Sequence, residues 1–350
     1  MYTLGFRFDK NTEYHALIGE DLAAFCNGLS SLVRGRKALI LTDETISDLH
    51  LAKLTALFDG EGINYRVHLI PVGESAKNFD TFRDILTVLS SERFVRGDHL
   101  IAFGGGSVGD IGGFAASVYM RGMSHINIPT TLLSMIDSSV GGKTGIDMFG
   151  VKNAVGTFHQ PKLVLCATEF LSTLPKRELT SGFGEVIKYI ALSGKDLCSL
   201  IGADGVSPQL IYECLKIKRE YVLADEFDSG RRQILNLGHT FGHAFEAASE
   251  YALSHGEAVA LGLIAEARFG AESGLIGHDV ERELAALSDR FCLCQGPIEY
   301  AKKAAALIAR DKKSNGESIS MPFVKRFGEP FIADVSVDAA ERFILSTEDA

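Results

Sequence analysis

The sequence predicts two domains of different class: an N-terminal α/β domain built on a parallel sheet, and an all-α C-terminal domain. The chain has 350 residues, 46% of them hydrophobic, enough for two cores at roughly 100–200 residues per domain, with a cleft between them as the starting expectation. Its first half alternates short β-branched runs with amphipathic stretches, as strands joined by crossover helices do. After Leu174-Pro175 strand signals become scarce and helix-forming stretches follow one another. The boundary therefore falls near Pro175, with an α/β domain over 1–175 and a helical domain over 176–350.

The elements follow in order. Lys37-Ala-Leu-Ile-Leu-Thr-Asp43 is a continuous apolar run and predicts a buried strand, and Leu49 to Phe58 predicts an amphipathic helix. Tyr65 to Ile70 is a second strand and Asn78 to Ser90 a second helix. His99 to Phe103 is a third strand, running into Gly104-Gly-Gly-Ser-Val-Gly-Asp110 with an apolar helix from about Ile111 to Val118, of which Tyr119-Met-Arg-Gly reads as the polar continuation. In the second half Glu178–Leu192, Pro208–Asp225, His239–Ala252 and Gly256–Ser273 read as helices.

Charge and composition exclude several functions. Against 35 basic side chains stand 45 acidic ones, a net charge of -10, and no Lys/Arg run tracks a phosphate backbone, so nucleic acid is not an expected partner. No apolar stretch reaches the roughly 18–20 residues that cross a bilayer, and the N-terminus lacks a signal-peptide pattern, so a cytoplasmic protein without a membrane partner is expected. Cys26, Cys166, Cys198, Cys214, Cys292 and Cys294 are scattered, which predicts free, mostly buried thiols.

Four segments carry chemistry. The glycines of Gly104–Asp110 would let backbone approach a pyrophosphate at a helix N-terminus, although a tight strand-to-helix turn needs the same residues. Asp43, ending the first apolar strand, could hold a ribose hydroxyl. In Pro129-Thr-Thr-Leu-Leu-Ser-Met-Ile-Asp137-Ser-Ser-Val-Gly-Gly-Lys143-Thr, polar groups interrupt an apolar run and would need partners if buried. Lys152 and Asn153 follow. Glu185 and Lys188 share one helix face, where an ordinary surface ion pair is the plain alternative. His239 and His243 stand at i and i+4, a spacing that presents two imidazoles to one point, and His255 opens the next helix.

Taken in order, G-G-G-x-x-G-D, Tyr119-Met-Arg-Gly122, P-T-T-L-L, D-S-S-V-G-G-K-T, K-N, G-E-V-I-K, R-x-x-x-N-x-G-H-T-x-G-H and H-G-E-A-V resemble 3-dehydroquinate synthase over about residues 37 to 316. The resemblance implies a Rossmann-like NAD-binding domain followed by a helical metal- and substrate-binding domain, in a homodimer. It implies a metal site of Glu185, His239 and His255, holding zinc or cobalt, with His243 near the substrate phosphate instead. Lys143, Asn153, Lys188, Lys218, Arg232 and Asn236 match residues around the carboxylate, hydroxyls and phosphate of a phosphorylated sugar acid. Either Lys312 or Lys313 matches a further phosphate lysine, and Arg121 matches an arginine given across the dimer to the neighbouring site. Asp43, Glu74, Lys77, Gly105, Gly106, Asp110, Thr130, Thr131, Asp137, Lys152 and Thr173 match NAD contacts.

The implied reaction oxidises the hydroxyl at carbon 5, eliminates phosphate, returns the hydride, and closes the ring by an intramolecular aldol step, so that NAD is recycled. Two enzymatic alternatives share the expected fold. A polyol or alcohol dehydrogenase would not need the four cations Lys143, Lys188, Lys218 and Arg232, and a sibling cyclase acting on another sugar phosphate would not need to bind a carboxylate. A scaffold that had lost catalysis would show gaps among the polar positions, and the series has none.

Overall fold

The apolar runs of the first half become central strands. In β3 (Lys37–Asp43) every residue after Lys37 is buried, and in β5 (His99–Gly104) every residue is buried, as expected for parallel strands covered on both faces. The computed structural model describes residues 1–8, 12–202, 205–250, 252–293, 300–315 and 317–347, with backbone alone for 309–315. They form two compact units: Met1–Pro175 with Leu200–Arg219, and Lys176–Ser199 with Glu220–Ala350.

The first unit holds a seven-stranded sheet. Besides β3 and β5 it contains β1 (Tyr2–Arg7), β2 (Glu13–Gly19), β4 (Asn64–Ile70), β6 (Ser124–Pro129) and β9 (Leu163–Ala167), in the order β1-β2-β9-β6-β5-β3-β4. Only β1 runs antiparallel, against β2. The hairpin β7 (Lys143–Met148) with β8 (Val151–Phe158) lies outside this sheet. From β3 the chain proceeds outward to β4, then returns to β5 and builds the other way through β6 to β9. The switch point of the sheet thus lies between the carboxyl ends of β3 and β5, where open α/β sheets bind ligands.

Helices α1 (Cys26–Val33), α2 (Glu44–Ile46), α3 (Ala52–Gly60), α4 (Phe79–Ser91) and α5 (Gly106–Val118) connect the strands. Two expectations are corrected here. First, α5 begins at Gly106 and not near Ile111, so the glycine segment is mostly helix. Its triple glycine has no left-handed residue and is needed for space: a Cβ on Gly104 would meet Val108 at 2.6 Å. Second, Tyr119-Met-Arg-Gly does not continue the helix. Met120, Arg121 and Gly122 have φ of 49°, 61° and 108°, three consecutive left-handed residues that turn the chain into β6.

Residues 200–219, which the sequence pattern groups with the helical half, belong to the first unit. They contain the ribbon β10 (Ile201–Gly202) with β11 (Gly205–Val206) and most of α7 (Pro208–Ala224). Tyr212 stacks on Tyr2 with ring centroids 5.0 Å apart, and the Lys218 ammonium binds the carboxylate and carbonyl of Asp137 at 3.0 and 2.8 Å.

The second unit comprises α6 (Lys176–Ser193), α8 (His239–Ala248), α9 (His255–Glu272), α10 (His278–Arg290), α11 (Ala301–Asn315) and α12 (Val337–Ser346). It also contains a hairpin absent from the all-α expectation, β12 (Ser318–Val324) with β13 (Pro330–Ser336). Its Met321 and Phe323 enter a core with Phe241, Phe245, Phe269, Phe343 and Ile344. Burial of apolar surface at roughly 25 cal/mol per Å² fastens the hairpin to the helices. Among the described residues no helix is long and apolar enough to cross a membrane.

Candidate active site

In the first unit the candidate residues collect at the carboxyl ends of parallel strands. Asp43 ends β3, Gly105 and Gly106 follow β5, and Thr130 and Thr131 follow β6. The Asp43 carboxylate accepts the Ile46 N–H at 2.9 Å and so caps the short α2. No side chain caps α5 at Gly105, which leaves its first-turn N–H groups for a ligand. Beside that turn the buried hydroxyls of Thr130 and Ser138 have no hydrogen-bond partner. A Cβ on Gly105 would stand 3.2 Å from Thr131 Cγ2, and one on Gly106 would stand 3.1 Å from Ser138 Oγ. Bare glycine backbone, free helix N–H groups and orphaned hydroxyls at a switch point fit a dinucleotide.

A charged network adjoins it. Lys77, 3% exposed, donates to Asp110 at 2.9 Å and to Asn153 Oδ1 at 2.5 Å, and Glu74 lies 3.5 Å from Lys77 and 3.3 Å from Lys152. Burial pushes the Asp110 carboxyl up despite Lys77. Burial opposes the Lys77 charge, but Asp110 and Glu74 outweigh it and hold the ammonium above its ordinary range. Asp147, which no sequence pattern marks, secures the arrangement: its carboxylate accepts the Asn153 N–H at 2.8 Å and its own N–H donates to the Lys77 carbonyl at 2.8 Å. Asn153 is held there with φ 53°. Thr173 is bonded to the His50 ring at 2.7 Å, and Lys143 is exposed at the start of β7. Arg121 has different surroundings, lining a depression of about 370 Å³ with Arg96, His159 and Lys162.

In the second unit three helices meet almost backbone to backbone. A Cβ on Gly184 of α6 would lie 2.1 Å from Gly256 O, one on Gly256 of α9 would lie 1.7 Å from Ser181 O, and one on Gly262 of α9 would lie 1.9 Å from Gly238 O, before α8. This approach converges Glu185 of α6, His239 at the start of α8 and His255 at the start of α9. Glu185 Oε1 stands 3.3 Å from His239 Nε2 and 3.2 Å from His255 Nε2, and the three donor atoms lie within 4.8 Å of one another. Ser254 and Glu257 form a capping box at the start of α9, fixing where His255 emerges.

The ring orientations suit a cation. His239 Nδ1 faces the Leu237 carbonyl at 3.1 Å and His255 Nδ1 faces the Glu246 carboxylate at 3.4 Å. With Nδ1–H donating to those acceptors, both Nε2 lone pairs point towards Glu185, as a carboxylate and two imidazoles need to be arranged for zinc. The residues present therefore fit a divalent metal. Glu246 ends the histidine-rich segment, three residues after His243, and that shared helix face was its only sequence signal.

Glu185 and Lys188 are no surface pair. Their side chains are 1% and 2% exposed and 2.5 Å apart. Burial alone would raise the Glu185 carboxyl, but Lys188 and then His239 outweigh it and hold it well below the carboxylate range. Burial lowers the His239 pKa, whereas the two carboxylates around His255 overcome burial and raise its pKa to about 9. His243 is exposed, its ring 5.2 Å from that of His239 and 5.8 Å from that of His255. It could join Glu246 and His255 in a second donor set, but there Glu246 already meets the opposite nitrogen of His255. Arg232 is 2% exposed and donates to the Glu226 carbonyl at 2.7 Å, and its turn, which includes Asn236, is tied by the Asp225 carboxylate to the N–H groups of Ser229, Gly230 and Arg232. The side chains of Lys312 and Lys313 lie outside the described residues, as does Cys294. Among the described residues the other five cysteines form no disulfide, and three of them are buried.

A doubly wound sheet followed by a helical unit is an architecture that this chain shares with sugar phosphate cyclases. The structure matches that of a 2-deoxy-scyllo-inosose synthase complexed with carbaglucose-6-phosphate, NAD+ and Co2+, with a TM-score of 0.88 at 23% identity over 99% of each chain. It also matches the 2-epi-5-epi-valiolone synthase of Streptomyces hygroscopicus subsp. jinggangensis 5008 with NAD+ and Zn2+ bound, with a TM-score of 0.86 at 26% identity over 97% of each chain.

Within that class the sequence is more specific. Family profiles described as 3-dehydroquinate synthase N-terminal and C-terminal match residues 67–181 and 182–314. The 3-dehydroquinate synthase of Latilactobacillus sakei subsp. sakei (strain 23K) is 41% identical over 306 residues, 85% of each chain. The chain belongs to the 3-dehydroquinate synthase family.

Proposed function

We propose that this protein converts 3-deoxy-D-arabino-heptulosonate 7-phosphate to 3-dehydroquinate and phosphate. The observation that carries the proposal is the convergence of Glu185, His239 and His255 on one point, with Lys188 against the same carboxylate. Glu185, His239 and His255 would hold zinc or cobalt, while Asp43, Glu74, Lys77, Gly105, Gly106, Asp110, Thr130, Thr131, Asp137, Lys152 and Thr173 would hold NAD. When bound, the metal supplies Lewis-acid polarisation of a substrate oxygen and NAD supplies reversible hydride transfer.

The chain's own side chains bind and orient. Lys143, Lys188, Lys218 and Arg232 bring positive charge to a substrate carrying both carboxylate and phosphate, a demand that a neutral alcohol does not make. Asn153 and Asn236 offer amides to its hydroxyls, and His243, exposed beside the donor set, can give a proton to a phosphate oxygen. Arg121 serves the neighbouring subunit of a homodimer. A site rich in cations suits an elimination in which the leaving phosphate itself accepts the proton.

The test is phosphate release from the heptulosonate substrate with trace NAD and added zinc or cobalt. Product should exceed NAD many-fold. Net NADH formation matching product one for one would overturn the cyclase reading and favour a dehydrogenase.

A further inference from the structure

The helix α8 begins without a cap of its own. Its N-cap is Gly238, with φ 81°, and a side chain there is excluded because a Cβ would meet Leu263 at 2.6 Å and Val259 O at 3.0 Å. The missing cap comes from the middle of α9. Glu266, 1% exposed, accepts the Gly238 N–H at 2.6 Å through Oε2, and the Thr240 and Phe241 N–H groups at 2.9 and 3.3 Å through Oε1. Burying this carboxylate is costly: the three N–H donors offset part of the lost hydration, but burial outweighs them and raises the Glu266 pKa to about 8.

One of these bonds reaches the donor set. The Gly238 N–H belongs to the same peptide unit as the Leu237 carbonyl, and that carbonyl faces His239 Nδ1 at 3.1 Å. A carboxylate bonded to one end of an amide polarises it and strengthens the carbonyl at the other end as an acceptor. His255 has a carboxylate directly behind its Nδ1, Glu246 at 3.4 Å. His239 has one behind it as well, one peptide unit removed. We propose that Glu266 is a positioning residue for His239, acting through the Leu237–Gly238 peptide to orient the imidazole and raise its donor strength while clamping the first turn of α8 onto α9. This rests on the reading that Glu185, His239 and His255 hold a divalent metal.

Glu266→Gln keeps the shape but leaves one fewer acceptor oxygen and no charge. The dissociation constant for zinc, measured by chelator competition, should rise roughly 10–100-fold, as for other residues that orient metal ligands. The visible absorption of the cobalt-loaded variant should shift in position or intensity. Ile344→Val, in the hydrophobic core of the same unit, lowers the melting temperature without touching this relay and should bind zinc as wild type does. Should Glu266→Gln fail to fold, Glu266→Asp retains the charge but withdraws it, and is expected to show the same loss. Zinc affinity within twofold of wild type alongside a lowered melting temperature would reduce Glu266 to a structural cap and overturn the proposal, as would an equal loss of affinity in Ile344→Val. If wild type itself binds neither zinc nor cobalt, the metal-site reading fails, and the proposal falls with it.

Discussion

Gly256→Ala tests how the donor set is assembled. The added methyl carbon would start 1.7 Å from the Ser181 carbonyl oxygen and 2.5 Å from its carbon, whereas real Cβ contacts essentially never fall below 3.0 Å. Because the obstacle is backbone, no rotamer relieves it, and α6 must separate from α9 by about 1.3 Å. A metal tolerates about 0.2 Å in its ligand distances. Glu185 rides on α6 and His255 on α9, so zinc affinity should collapse by more than 100-fold, and overpacking should cost about 3 kcal/mol in stability. Chelator competition gives the first quantity and thermal unfolding of the metal-free protein the second. A folded Gly256→Ala variant with wild-type zinc affinity would refute the inference that close helix approach sets the ligand geometry.

Four further outcomes are expected. Lys188→Met leaves Glu185 buried without its cation and should cost about 3–5 kcal/mol, most of it recovered in the Glu185→Gln/Lys188→Met double variant, as measured by urea unfolding. His239→Ala and His255→Ala should lose metal while His243→Ala keeps metal and loses activity, and metal analysis showing His243→Ala emptied as completely would reject that division. His125 is fully buried against His159, and burial, then that neighbour, lowers its pKa to about 3. The unfolded chain therefore takes up the proton first, so stability should fall by about 1.4 kcal/mol per unit as pH drops from about 6.5 towards 3, a slope flattened in His125→Phe. Mixing inactive Arg121→Ala and His255→Ala proteins under subunit exchange should restore up to about half the activity in each hybrid dimer, which a strictly in-subunit arginine would not allow.

What the sequence made legible follows from where patterns are local. β3, β5 and the four long helices announced themselves, because a buried parallel strand is a short apolar run and a helix repeats every 3.6 residues. The edge strand β1 with its neighbour β2, and the hairpin β12 with β13, were missed: their partners are supplied by the fold and many of their own residues are exposed or half-buried. The histidine spacing marked a site but treated His239 and His243 alike, and only the packing of α6 and α9 distinguishes them. Glu266, Asp147 and Asp225 escaped notice because their work is to hold other residues through backbone groups that periodicity does not see, and Glu246 because it meets the His255 ring from a different helix. The Glu185–Lys188 pair has the wording of a surface ion pair, and burial reverses that meaning.

The glycine-lined meeting of α6, α8 and α9 also bears on how this protein can change over generations. Every change of the first or second base of a glycine codon either adds a side chain or stops translation, and at Gly184, Gly256 and Gly262 the smallest such addition already strikes a neighbouring backbone. These three positions therefore have no conservative missense neighbour, while an aspartate for a glutamate lies one base away. In a library of single-codon variants scored by growth, the three glycines should form as sharp a depletion as the histidines they bring together.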